Sequence, residues 1–171
     1  MISVIKYLFG AIALIFAQIL IFSRIEFGWS TYVMVYPLFL LLLPFRMNRS
    51  LVMLIAFVMG ISIDFFLNTF GLNASALVLL AYFRPNLYKL IHPNENYDRE
   101  EQNDRYSNDR RFLVLLFFSL LLHHAWYFLW ESFSLHEFLF TLIRIGLSTL
   151  LSTVLAFLLF LLLIRRNYIE E

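Results

Sequence analysis

The chain has no cysteine. That excludes a disulfide framework, a thiol redox pair and any thiolate metal site. It is poor in charge: 15% of its 171 residues are Asp, Glu, Lys or Arg, and the formal net charge is +1. That net charge says nothing about nucleic acid, but the basic residues are spread between the apolar runs rather than gathered in a phosphate-binding patch. No internal sequence repeat is evident, so an inverted-repeat transporter is not expected. Also absent are a Gly-x-Ser-x-Gly elbow, a phosphate-cradling glycine loop and a His-Glu-x-x-His pair. The usual serine-hydrolase, nucleotide and zinc-protease chemistries therefore have no anchor here. Ser62, Ser75 and Ser119 read as ordinary intramembrane serines.

What is present is apolar surface. Hydrophobic residues make up 61% of the chain, twenty of them Phe, and the mean hydropathy is +0.78. They fall into six runs: Tyr7–Ser23, Tyr32–Phe45, Leu51–Phe66, Ala74–Phe83, Phe112–Trp130 and Phe138–Ile164. A helix needs roughly 20 apolar residues to cross a bilayer. The first, fifth and sixth runs reach that length alone; the others reach it with their flanks, from Phe27 for the second and to Leu90 for the fourth. The first run is not followed by a small-x-small cleavage site, so it reads as an uncleaved span. Barrel strands alternate apolar and polar residues, whereas Leu38–Leu43 and Phe157–Ile164 do not alternate at all. The expected fold is all-α, a polytopic membrane helical bundle of about six transmembrane helices in a single domain spanning 1–171.

The basic residues orient it. Lys6, Arg46, Arg49, Arg84, Lys89, Arg99, Arg105, Arg110, Arg111, Arg165 and Arg166 fall on one side of a six-span topology, eleven of the thirteen Lys and Arg. Positive residues accumulate in cytoplasmic loops, so both termini are expected in the cytoplasm. Residues 93–109 read PNENYDREEQNDRYSND, too polar to form a core. They are expected to form a polar cytoplasmic loop, ending at Arg110 and Arg111.

Within the spans, a few residues carry the argument. Asp64 lies 13 residues beyond Leu51, roughly 20 Å into the membrane at helical rise. A carboxylate there costs on the order of 2.5–3.5 kcal/mol unless it pairs, protonates or meets water. It reads either as a proton, ion or substrate site or as a hydrogen-bonding residue that locks a helix pair. Arg144, roughly 9 Å below the opposite surface, is its expected partner. His123 and His124 are neighbours on one helix and diverge by about 100°, so they do not share a metal. One is expected to bond inside the bundle near Asp64. Gln18 is expected to bond another helix. Pro37 is expected to kink the second span, and Gly71 suits a left-handed position between the third and fourth. Ala56 and Gly60 form a small-xxx-small pair that permits close helix approach.

The stretch Tyr36–Tyr82 resembles the rod shape-determining MreD family. The resemblance is carried by an apolar run between Pro37 and Pro44, a Gly-x-x-x-Asp formed by Gly60 and Asp64, and a run opened by Gly71 that closes on Ala81 and Tyr82. Elsewhere only length and span number agree, and the polar loop near 93–111 departs from many relatives. The resemblance implies a non-enzymatic subunit, without cofactor, of the bacterial cell-elongation and peptidoglycan-synthesis machinery in the inner membrane. Its implied partner is a bitopic MreC-like protein, and through it MreB, RodA and a class B penicillin-binding transpeptidase. The same family is similar to the substrate-binding subunits of energy-coupling-factor vitamin transporters, which leaves small-molecule binding as the alternative.

Overall fold

The computed structural model describes residues 2–24, 28, 30–44, 47–91, 109–132 and 138–164. The greater part of the polar stretch 93–109 and the tail with Arg165 and Arg166 lie outside them. Among the described residues the chain is all-helical: α1 Ile2–Leu20, α2 Leu38–Leu42, α3 Arg49–Leu67, α4 Leu72–Ile91, α5 Asp109–Ser132 and α6 Phe138–Leu159. A wider π turn, Phe160–Ile164, continues α6. Four of the helices, α1, α3, α5 and α6, are long and apolar enough to cross a membrane. Helices that close their own backbone hydrogen bonds meet the demand that lipid makes. The protein is a membrane helical bundle.

α3 and α4 form a hairpin. Asn48 caps α3 by accepting from the Ser50 N–H at 3.0 Å, and Asn68 ends it in the left-handed conformation at φ +55. Phe70 (φ +48) and Gly71 (φ +89) continue the reversal. Such angles are unfavourable for most residues and open to glycine, so the expected role of Gly71 holds. α4 passes through Pro85 and ends near Lys89. In its last turns Tyr88 is buried, Leu87 packs inward and Leu90 is exposed.

The second apolar run departs from the expected helical span. Only Leu38–Leu42 is helical, and residues 32–35 are extended. Pro37 does not kink a long helix; it stands at the N-cap of this five-residue one. Thr31 and every residue from 33 to 43 are buried. This segment is the axis of the bundle, packed by α1, α3, α4, α5 and α6. Extended backbone rises about 3.3 Å per residue, more than twice the helical rise. The four extended residues 32–35 cover roughly 13 Å, where a helix would cover roughly 6 Å. The segment runs from Arg144, which holds the Ser30 carbonyl, to Arg84, which holds the Leu43 carbonyl. Apart from Tyr32 it is covered by protein, which allows a run this short to be apolar without interruption.

Candidate functional site

Extended backbone at membrane depth has donors and acceptors that no helix closes, and protein must supply their partners. The side-chain amide of Gln18 on α1 does so twice, donating to the Val33 carbonyl at 2.8 Å and accepting from the Val35 N–H at 3.0 Å. On α6, Ser148 Oγ accepts from the Tyr32 N–H at 3.1 Å and Ser152 Oγ from the Met34 N–H at 2.9 Å. Arg144 Nε donates to the Ser30 carbonyl at 3.1 Å. Four side chains from two helices thus take the place of a neighbouring strand.

The segment also feeds a second network through Tyr36. Its hydroxyl donates to Asn73 Oδ1 at 2.5 Å and meets His123 Nε2 at 3.0 Å. A phenol has one proton; with Asn73 taking it, Nε2–H of His123 is the donor toward Tyr36. Asn73 Nδ2 donates to Asp64 Oδ1 at 2.9 Å and to Thr69 Oγ1 at 2.8 Å. Asp64 Oδ1 accepts further from the Asn73 N–H at 3.0 Å and from the Thr69 hydroxyl, and Oδ2 accepts from the Ala74 N–H at 2.8 Å. The order His123, Tyr36, Asn73, Asp64 therefore points every proton toward one carboxyl group. Asp64 caps α4, whose first amide groups carry the positive end of the helix dipole.

The expected pair of Asp64 and Arg144 does not form. Asp64 is satisfied by groups within ten residues of itself, while Arg144 Nη2 donates to Glu131 Oε2 at 2.7 Å. The Arg144 guanidinium also lies 4.6 Å from the centroid of the Phe128 ring and 5.7 Å from that of Tyr32. Glu131 stands just past the fifth apolar run, next to Trp130. The expectation for His123 near Asp64 is met through Tyr36 and Asn73. His124 bonds the Leu120 carbonyl through Nδ1 at 2.7 Å and meets Ser152 Oγ at 3.3 Å through Nε2. This is a serine–histidine contact, but both side chains are fully buried and Ser152 already serves the Met34 amide. No group of three His, Cys, Asp or Glu is placed to hold a metal among the described residues.

Gly60 and Ala56 are buried inside the bundle. A Cβ on Gly60 would stand 2.3 Å from Ala74 Cα and 2.7 Å from Ala74 N. The close approach that these small residues allow is thus taken by α4 of the same chain. The residues that sequence reading missed are Tyr36, Asn73, Glu131, Ser148 and Ser152. One signal was there to find two of them: Thr141, Arg144, Ser148 and Ser152 recur every three or four residues along an otherwise apolar helix, and all are buried. Polar residues at that spacing mark a face turned toward protein. No protein-family model, curated protein or solved structure matches this chain.

Proposed function

We propose that this protein is a non-enzymatic scaffold subunit of the bacterial cell-elongation machinery. In this reading it sits in the inner membrane with both termini in the cytoplasm and binds a single-span MreC-like partner. What supports the reading is that the bundle's polar residues serve its own architecture. Gln18, Tyr36, Asp64, Asn73, Ser148 and Ser152 each bond another group of the chain. A vitamin-binding subunit would aim such groups at a ligand. The residues behind the family resemblance also act as one unit, because Gly60 seats Ala74 and Asp64 caps the same turn.

With the small-residue patch filled, a partner helix would use the lipid-facing surfaces. α1 offers the barest of these: only 11% of its span is buried, and Leu8, Phe9, Ile12, Phe16 and Leu20 are exposed. Helix association in lipid then rests on packing. Depletion in a rod-shaped host should give rounded cells, and the protein should co-purify with a bitopic partner in mild detergent. Normal rods after complete depletion would refute the assignment; so would a stoichiometric vitamin-like ligand on a protein that co-purifies with a transporter ATPase module. The orientation is tested separately. The chain has no native cysteine, so Ser107→Cys should resist an impermeant outside reagent in intact cells.

A further inference from the structure

Among the described residues, three buried side-chain atoms have no hydrogen-bond partner in the protein. One is Thr149 Oγ1 on α6; the other two, Ser119 Oγ and His123 Nδ1, share α5. Ser119 and His123 are both 0% exposed. A buried polar atom left unbonded is destabilising, and native interiors rarely keep two of them side by side. The two residues stand four apart on one helix, so they lie on the same face, one turn above the other. A helical side chain leans back over the turn that precedes it, which carries the His123 ring toward Ser119.

The chemistry of the two atoms is complementary. His123 Nε2–H is committed to the Tyr36 hydroxyl at 3.0 Å. No carboxylate bonds the ring, and a lone buried charge is costly, so the imidazole is neutral and its Nδ1 is a bare acceptor. Ser119 brings an O–H. Hydroxyls inside helices commonly spend that proton on a carbonyl of the preceding turn; Ser62 does so at Val58 and Thr153 at Thr149. Ser119 does not. Donor and acceptor thus stand one turn apart without meeting, and a polar gap wider than a hydrogen bond is what a single water spans. The water oxygen accepts from Ser119 Oγ–H, and one water proton goes to His123 Nδ1. Two polar partners suffice to hold a buried water. His124 does not compete for it, because Leu120 and Ser152 already occupy both of its nitrogens. We infer that Ser119 and His123 bind one structural water inside the bundle. That water lengthens the chain of His123, Tyr36, Asn73 and Asp64 by two groups without adding a charge. The inference is independent of the elongation reading.

The test is solid-state NMR of the full chain in lipid bilayers, with nitrogen-labelled histidine and polarisation passed from water protons to the rings. His123 should show a protonated Nε2 and an unprotonated Nδ1, and Nδ1 should receive polarisation from water. The His124 ring, closed by protein at both nitrogens, should receive less. Ser119→Ala removes one of the two groups that hold the water and should abolish the transfer at His123. Ser62→Ala, at a hydroxyl that serves only its own helix, should leave it unchanged. The wild-type spectrum alone decides whether water reaches Nδ1, so the proposal does not hang on how the variants fold. Three results would overturn it: no transfer from water to His123 Nδ1 in the wild type, a protonated Nδ1, or a transfer that survives Ser119→Ala undiminished.

Discussion

The α3–α4 hairpin and the buried segment at residues 31–43 occupy the same bundle and solve the same problem in opposite ways. In the hairpin each helix closes its own backbone, and only the turn needs help. Asp64 supplies it from ten residues away or fewer, and Gly60 lets the helices meet at Ala74. In the segment the backbone at residues 32–35 is open, and its side-chain partners come from 15 to 118 residues away in sequence. Contacts of short sequence separation form early, and long loops must close before distant ones stabilise anything. The hairpin is therefore a unit in its own right, while the segment is complete only once α6 is in place.

The largest break in this comparison is expected at Asp64. Asp64→Leu removes the cap of α4 and leaves the Asn73 and Ala74 amides without an acceptor, at a cost of about 3–5 kcal/mol. Asp64→Asn keeps one oxygen for Asn73 and Thr69 and turns an N–H toward Ala74, so it should fall between wild type and Leu. Equilibrium unfolding in mixed micelles ranks the three. A loss for Asn as large as that for Leu, at normal abundance, would argue for a role of the charge itself.

Next comes Gln18→Leu. It strips the segment of one donor and one acceptor, Val33 and Val35, and should cost about 2–4 kcal/mol. Its signature is local: hydrogen exchange should rise at Val35 while the hairpin amides near Asn73 stay protected. Uniform loss of protection would show that the two regions are one cooperative unit.

The smallest effect sharpens the picture of Arg144. A double-mutant cycle on Arg144→Gln and Glu131→Gln should show coupling of about 1 kcal/mol, since Glu131 is 26% exposed and solvent screens the pair. The corresponding cycle on Asp64→Asn and Arg144→Gln should be additive. Coupling there would contradict the separate partners of the two groups.

How much of this could be read from residues alone differs by element. α1, α3, α5 and α6 were expected because long apolar runs in a helix-forming pattern have few other outcomes. The turn at residues 68–71 was expected from Gly71, and Asp64 as a lock between helices was one of its two readings. The run at Tyr32–Phe45 reads as a span because an apolar run has the same composition whether lipid or protein covers it. Arg144 was matched to Asp64 because rise per residue yields depth, and depth alone does not say which way a side chain faces around the bundle.

The sequence by itself determined that this chain is a membrane protein, where its long helices lie, and that charged groups at depth must find partners. Hydropathy and the cost of buried charge act residue by residue, so they survive without coordinates. Only the tertiary structure decided which partner each polar group takes and that the second run is buried as a partly extended chain. Those outcomes depend on side chains more than a hundred residues away, Ser148 and Ser152 above all. An open backbone in the membrane is tolerable only once such distant groups have been brought against it.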